Sequence, residues 1–296
     1  MYCGVRDGLS TEHIIPYMMA GAYLLPASSC RKCAAITSKF EGNLSQTIFL
    51  GLRKRVKLQS RSNKNPSFKI VTVENGVEVE KEITADELPA VFITYKFEPP
   101  GLLRGLPYWV GIEHFRLQVA NISHSVSPAK RVNGKITIPS IPLNLMRLAA
   151  KIAHGFLHYS PEIQNSGYEP LLNDAILSGR FAPYYVGSPV NVYNFVAHHK
   201  VKEGERSLHW IGFEEITIEP DNIHNYLVAY IHLFPEFGGA QFEVVTARRK
   251  RQGHALQLQP VASHIPENDG SPVDMQTFDI IMKVQEDSVS FPPSEN

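Results

Sequence analysis

Three cysteines near the start of the chain have the type and spacing to hold a metal ion. Cys30 and Cys33 form a Cys-x-x-Cys pair, a spacing that lets two thiolates bind one zinc ion, and Cys3 offers a third thiolate. An odd number of cysteines argues against a disulfide framework. In a cytosolic chain, clustered cysteines more often bind metal or carry out redox chemistry. The pattern therefore predicts a structural Zn²⁺ site.

A structural zinc site has four ligands, and this cluster lacks a fourth cysteine. A cysteine placed directly before Met1 would form a second Cys-x-x-Cys pair with Cys3, so we expect the natural chain to begin upstream of Met1. Three alternatives remain open. The three cysteines could bind metal weakly, they could be a decayed knuckle, or His13 could be the fourth ligand, in which case it could not also serve as a catalytic base.

The residues between the cysteines form a wider pattern. Glu12-His13-Ile14-Ile15-Pro16 is followed by a loop containing Gly21 and then by the Cys-x-x-Cys pair, which opens a helix. Over about residues 1–45, this combination resembles the HNH endonuclease family. More loosely, residues 148–189 are similar to the C-terminal part of some uncharacterised HNH proteins. The resemblance implies a small ββα-metal fold, in which a hairpin and a helix hold one divalent cation.

The resemblance also implies roles for two residues. His13 matches the family's catalytic base, which takes a proton from the attacking water. Glu12 matches the acidic residue that binds the catalytic cation. Hard carboxylate oxygen atoms suit Mg²⁺ or Mn²⁺. The expected chemistry is hydrolysis of a phosphodiester, with the cation acting as a Lewis acid.

The sequence departs from the family pattern at the second cation ligand. The family usually has asparagine or histidine just after the Cys-x-x-Cys pair, whereas this chain has Ala34 and Ala35, which cannot coordinate a metal. Residues 33, 37, 40 and 41 share one helical face. Glu41 or Thr37 could therefore replace the missing ligand.

Basic residues follow this segment, although the net charge of the whole chain is zero. We expect them to hold backbone phosphates of a nucleic acid, with DNA favoured, without reading its sequence. A solvated surface is the alternative interpretation. The cluster consists of Arg53, Lys54, Arg55, Lys57, Arg61, Lys64 and Lys69, of which the first five are the predicted nucleic-acid contacts, and a shorter basic run covers residues 248–251.

Apolar residues at every fourth position predict one long helix from Cys33 to about Val56. The stripe consists of Ile36, Phe40, Leu44, Ile48, Leu52 and Val56. Gly42 weakens the pattern and predicts a kink or an end there. The polar stretch 59–66, which ends in a proline, is the predicted linker.

The chain beyond the linker is predicted to be mostly β, with few helices. Alternating residues predict strands at 68–73 and 77–83, joined by a hairpin turn at Asn75-Gly76. Further strands are predicted at 91–97, 109–119, 184–186, 192–198, 226–234 and 240–247, and helices at 143–159 and 168–177. The last residues, 291–296, are predicted to be disordered.

Together these elements predict an α+β fold. A ββα-metal zinc-knuckle domain covers 1–58, a larger mixed α+β domain with an antiparallel sheet covers 67–262, and a largely extended or disordered tail covers 263–296. No apolar run approaches the roughly 20 residues of a membrane span, and we see no secretory signal. We therefore expect a cytoplasmic protein without membrane contacts.

Two functions are compatible with these residues. The first is a metal-dependent HNH-type endonuclease, with His13 as base and with Glu12 and Glu41 on Mg²⁺ or Mn²⁺. The second is a non-catalytic zinc-knuckle protein that binds nucleic acid or protein through a degenerate HNH site. Cleavage that depends on His13 would distinguish the first from the second.

Overall fold

The fold is described from a computed structural model of the chain. The described residues are 1–55, 58, 67–74, 77–84, 91–112, 114–121, 141–190, 207–218, 224–249, 261–264 and 278–283. They contain both helices and antiparallel strands, so the predicted mixed α+β class is confirmed. Within these ranges, every helix is too short or too polar to traverse a lipid bilayer.

Two strands and two helices form the N-terminal segment. Strand β1 (Leu9–His13) pairs antiparallel with β2 (Leu24–Cys30), and α1 (Arg31–Gln46) follows β2 directly. The sequence predicts strand-like pieces around Glu12–Ile15 and Ala22–Leu25, so the existence of two strands is confirmed, whereas their predicted bounds were wrong. Their exposed and buried positions alternate irregularly, and a bulge shifts the register between Ser10 and Glu12, so period-two alternation could not mark their ends.

The single long helix predicted from Cys33 is interrupted near its middle. Helix α1 ends at Gln46, and α2 (Leu50–Arg55) begins after a short break. The backbone of Thr47 leaves the helical region, and its hydroxyl donates a hydrogen bond to the carbonyl of Asn43 at 2.8 Å. Gly42, the predicted kink, lies inside α1. The apolar stripe itself is confirmed, since four of its members are buried: Phe40, Leu44, Ile48 and Leu52.

Helix α3 (Ile141–Tyr159) lies at the centre of the fold, close to its predicted position of 143–159. It packs against α1 and β2, and also against a large antiparallel sheet. Gly155 allows this close approach, because a Cβ there would lie 2.8 Å from the side chain of Ile14. Buried residues before and after the predicted linker, such as Phe40 and Leu148, belong to one hydrophobic core. The linker 59–66 itself lies outside the described residues.

The segment after α3 is built from short elements. They are α4 (Pro161–Asn165), β7 (Tyr168–Pro170), α5 (Asn173–Leu177), α6 (Ala182–Tyr185) and β8 (Val186–Gly187). The helix predicted at 168–177 was therefore wrong over its first half, which pairs with a sheet strand. The strand predicted at 184–186 was wrong in most of its length, because α6 ends at Tyr185.

The large sheet has the strand order β12-β9-β10-β11-β7, with β8 also paired to β11. Its long strands are β9 (Ser207–Thr217), β10 (Asn225–Leu233) and β11 (Gln241–Arg249), and β12 (Val261–His264) forms an edge. The strands predicted at 226–234 and 240–247 are confirmed within one or two residues. The strand predicted at 192–198 lies outside the described residues.

Two smaller sheets complete the described fold. Strands β3 (Ser67–Glu74) and β4 (Val77–Thr84) form the predicted hairpin, in which Glu74 pairs with Val77. Strand β5 (Val91–Phe97) is confirmed, whereas β6 (His114–Asn121) begins five residues later than predicted. Strand β13 (Phe278–Lys283) of the predicted tail pairs with β6, and residues 291–296 lie outside the described ranges.

Glu243 on β11 gives the sheet a pH-dependent stability. Burial raises the pKa of this carboxyl group to about 7, a hydrogen bond from Tyr230 lowers it, and the charge of Glu214 raises it further. Between its ordinary pKa of 4.5 and about 7, the folded protein keeps a proton that the unfolded chain has lost. The free energy of unfolding therefore falls as the pH rises through this range.

We expect Glu243→Gln to raise the melting temperature at pH 8 relative to wild type, and to raise it less or not at all at pH 4.5. Glutamine removes the ionisation while keeping an oxygen that accepts from Tyr230. Thermal unfolding at the two pH values measures the difference. The exposed Glu98→Gln is the control and should shift both values equally. A pH-independent effect of Glu243→Gln would contradict the assignment.

Candidate functional site

The three cysteines meet where β2 joins α1. Cys30 ends β2, Cys33 lies in the first turn of α1, and Cys3 comes from the segment before β1. Their sulfur atoms all lie within 4.8 Å of one another, and the Sγ atoms of Cys3 and Cys30 are 3.6 Å apart. A tetrahedral zinc ion with Zn–S bonds of about 2.3 Å places its sulfur ligands about 3.8 Å apart. The cluster can therefore bind a metal ion, consistent with the predicted zinc site.

The helix start prepares one of these thiols for metal binding. The backbone N–H of Cys33 and the thiol of Cys3 lower the pKa of Cys30 to about 7. Burial raises the pKa of Cys33 to about 12. Because metals bind the thiolate form, Cys30 is closer than Cys33 to the form that binds a metal at neutral pH. Among the described residues, no histidine or acidic side chain joins the cluster, so His13 is not its fourth ligand.

We expect the purified protein to hold about one zinc ion per chain, and Cys30→Ser to lower zinc affinity at least tenfold. Loss of one thiolate leaves only two protein ligands, and metal binding contributes directly to folding in such knuckles. Elemental analysis after dialysis and thermal unfolding with EDTA measure both effects. Ser38→Ala, an exposed change on α1, is the control. Equal zinc content in all three proteins would exclude the site.

Glu12, Glu41 and Lys151 form a buried group that we call the acid–lysine cluster. The ammonium of Lys151 lies 2.8 Å from Oε1 of Glu12 and 2.5 Å from Oε1 of Glu41. It also donates a hydrogen bond of 2.6 Å to the backbone carbonyl of His13. The side chain of Lys151 is only 1% exposed. An ammonium has three donors, so each of them has an acceptor here.

This cluster bears on the predicted catalytic cation. Glu12 and Glu41 do converge from β1 and α1, as the sequence predicted, but Lys151 from α3 occupies the space between them. A magnesium ion lies 2.0–2.1 Å from its oxygen ligands and would have to take the position of the ammonium. The residues present therefore do not fit a catalytic Mg²⁺ or Mn²⁺ while Lys151 is in place. The other candidate, Thr37, donates its hydroxyl hydrogen bond to the carbonyl of Ala34.

His13 stands at the end of β1 with its ring partly exposed. Its Nδ1 lies 3.2 Å from the carbonyl of Gly21. Because a carbonyl only accepts hydrogen bonds, Nδ1 carries a proton, and in the neutral form of the ring the lone pair is then on Nε2. Gly21 is required for this loop, since a Cβ there would lie 1.8 Å from the carbonyl oxygen of Ile15. The loop therefore fixes the tautomer that a general base needs.

Long-range contacts hold the same loop. The Nε of Arg53 donates to the carbonyl of Met18 at 2.9 Å, and its guanidinium also contacts Ser45. The ring of His209, which is buried in β9, donates from Nε2 to the carbonyl of Met19 at 2.7 Å. Burial lowers the pKa of His209 to about 4, so this ring is neutral at physiological pH. The loop carrying Gly21 is thus connected to α2 and to the large sheet.

The predicted phosphate contact of Arg53 was wrong. Its side chain is 7% exposed, because its donors serve backbone and hydroxyl oxygens inside the fold. The side chains of Lys54 and Arg55 lie outside the described part of the structure, as do Lys57 and Arg61 entirely. In the second basic run, Arg248 forms an exposed ion pair with Glu169, and Arg249 forms a buried ion pair with Glu215.

We expect Arg53→Met to lower the free energy of unfolding by about 3 kcal/mol, since it removes hydrogen bonds from a charged donor and leaves buried acceptors unpaired. Urea unfolding measures the change. The exposed Arg116→Met should stay within about 0.5 kcal/mol of wild type. If Arg53→Met were as stable as wild type but bound nucleic acid less well, the original prediction would be reinstated.

An exposed aromatic group is a further candidate that the sequence did not single out. Tyr108 and Trp109 are 55% and 70% exposed, with ring centroids 4.9 Å apart. Tyr108 also contacts the ring of Phe181 at 5.3 Å, and the guanidinium of Arg180 lies 5.1 Å from that ring. We call these four residues the aromatic–arginine surface. Trp109 is the first residue of the strand predicted at 109–119. The alternating pattern of that strand gave no indication that the side chain of Trp109 is exposed.

Lys151 was also missed, although the sequence contained a clue. It interrupts the apolar run of α3, between Ala150 and Ile152. A lysine on the buried side of a helix must meet acidic partners, because an unpaired buried charge is strongly unfavourable. The acids predicted as metal ligands were the available partners.

Comparison with known protein families, with curated proteins and with solved structures finds no match for this chain. The functional assignment therefore depends on the geometry of these residues.

Proposed function

We propose that residues 1–46 form an HNH-type zinc-knuckle module and that the protein binds nucleic acid without metal-dependent cleavage. The order of two paired strands and a helix supports the module, as does the meeting of three thiolates at the helix start. In this proposal the zinc ion is a folding staple, because it would tie the first residues of the chain to the start of α1.

The proposed absence of metal-dependent cleavage depends on one observation: the ammonium of Lys151 lies between Glu12 and Glu41. Phosphodiester hydrolysis by this family needs a divalent cation that touches both the protein and the phosphate. Lys151 is buried, so its charge cannot reach a phosphate in the cation's place. The site therefore has the two carboxylates, but it lacks a positive charge that could reach the phosphate and stabilise the transition state.

The aromatic–arginine surface supports nucleic acid as the partner. Exposed rings can stack with unpaired bases, each contributing about 1–3 kcal/mol, and arginine adds attraction to phosphate and to the base face. Tyr108 and Trp109 offer adjacent rings, and Arg180 lies at the other end of the ring contacts. Double-stranded DNA hides its base faces, so single-stranded DNA or RNA fits this surface best.

We expect Trp109→Ala to weaken binding of a fluorescent single-stranded oligonucleotide about tenfold, which corresponds to about 1.4 kcal/mol. Trp109→Phe should keep most of the affinity, because it keeps a ring. Val77→Ala removes an equally exposed apolar side chain elsewhere and is the control. Equal affinity of Trp109→Ala and wild type, or no binding by either, would contradict the proposal.

The second candidate function is phosphodiester hydrolysis, the activity that the HNH resemblance implies. The orientation of His13 favours it, because Nδ1 faces Gly21 and leaves Nε2 as a proton acceptor. In this alternative His13 activates water, and Glu12 would bind Mg²⁺ or Mn²⁺ only after the ammonium of Lys151 had moved away.

A nicking assay distinguishes the two functions. We expect wild type and His13→Ala to leave supercoiled plasmid and single-stranded DNA equally intact, with Mg²⁺, with Mn²⁺ and with EDTA. The matched control is His224→Ala, a histidine just before β10. Cleavage by wild type and His224→Ala that His13→Ala lacks would establish the hydrolase and overturn the non-catalytic proposal.

A further inference from the structure

The acid–lysine cluster has the ligand chemistry of a divalent-cation site. It brings together two carboxylates and one backbone carbonyl, from Glu12, Glu41 and His13, within 2.8 Å of one positive centre. Magnesium, manganese and calcium ions prefer such hard oxygen ligands. Here the positive centre is the ammonium of Lys151. It is covalently part of the chain, so it cannot dissociate as a bound metal ion can.

The three oxygen ligands come from separate parts of the fold. Glu12 and the His13 carbonyl belong to β1, Glu41 belongs to α1, and Lys151 reaches them from α3. Residues of α1 and α3, together with Ile14 and Ile15 directly after β1, belong to the same hydrophobic core, which holds the oxygen atoms in place. The ligand set therefore does not depend on Lys151 alone for its position.

The surroundings of the cluster favour a positive charge at its centre. Tyr2 is buried beside the two carboxylates, and burial together with the charges of Glu12 and Glu41 raises the pKa of its phenol. Tyr2 is therefore neutral and does not compensate the acids. The charged side chains of Glu12, Glu41 and Lys151 together carry one net negative charge. Without Lys151, the two glutamates would carry two.

We propose that Lys151 is a built-in cation that masks a latent divalent-cation site formed by Glu12, Glu41 and the carbonyl of His13. Replacing the ammonium by a neutral side chain would open that site to Mn²⁺, Mg²⁺ or Ca²⁺. The inference rests on the cation position used in the proposed function, although it requires neither nucleic-acid binding nor the absence of cleavage. The zinc knuckle stays separate, since its ligands are thiolates.

The physical reason is the mutual repulsion of two carboxylates, one buried on Glu12 and one half-buried on Glu41. Without a counter-charge, one of them takes up a proton or the fold loosens. A divalent cation of small radius can take the place of the ammonium and neutralise both acids. Binding should therefore appear together with an increase in stability, because the ligand binds only the folded state.

The test compares the zinc-loaded wild-type protein with Lys151→Met and Lys151→Ala. Methionine keeps the apolar stem of lysine and removes the charge, whereas alanine also leaves space for water around a bound ion. Mn²⁺ is the probe, followed by electron paramagnetic resonance and by melting temperature at increasing Mn²⁺. The double variant Lys151→Met with Glu41→Gln removes one ligand charge and is the matched control.

We expect Lys151→Met or Lys151→Ala to bind one Mn²⁺ at least tenfold more tightly than wild type, with a melting temperature that rises with Mn²⁺. The double variant should lose most of this gain. The proposal is overturned if wild type binds Mn²⁺ as tightly, if folded variants gain no binding, or if variants that unfold are not rescued by millimolar Mn²⁺. None of these readouts uses an oligonucleotide, so failure here is distinguishable from failure of the proposed function.

Discussion

The ammonium of Lys151 determines how the first fifty residues sit on the rest of the protein. It joins oxygen atoms from β1 and α1 to the central helix α3, in a place that solvent hardly reaches. A buried charge is stable only when all its partners are in place. These contacts therefore constrain the positions of the two strands, the first helix and His13 together.

Much of this arrangement could be predicted from the sequence, because it depends on local spacing. The Cys-x-x-Cys pair, the buried stripe on α1 and α2, and the hairpin at Asn75-Gly76 each follow from neighbouring residues. The convergence of Glu12 and Glu41 was also expected, although their partner was not. Helix and strand ends were less predictable, since Thr47 and the bulge in β1 interrupt regular periodicity.

The residues whose roles were missed or wrongly predicted from the sequence are those whose partners are distant in sequence. Lys151 contacts an oxygen atom 138 residues away, and Arg53 contacts one 35 residues away. A basic residue in a polar stretch gives no local indication that its donors point inward. Composition can therefore suggest a phosphate contact where the fold uses the same guanidinium to hold a loop. Only the three-dimensional packing separates these two uses of arginine.

The hydrogen bond from His209 to the carbonyl of Met19 has a consequence for biosynthesis. The two residues are 190 positions apart. At about 5–20 residues per second, a ribosome needs on the order of 10–40 s to add the second partner after the first. During that interval β9 is not yet present, and α3 is complete only after Tyr159 has been added. The segment that carries the cysteine cluster must therefore wait for its long-range contacts, and a chaperone has time to bind it before the fold is complete.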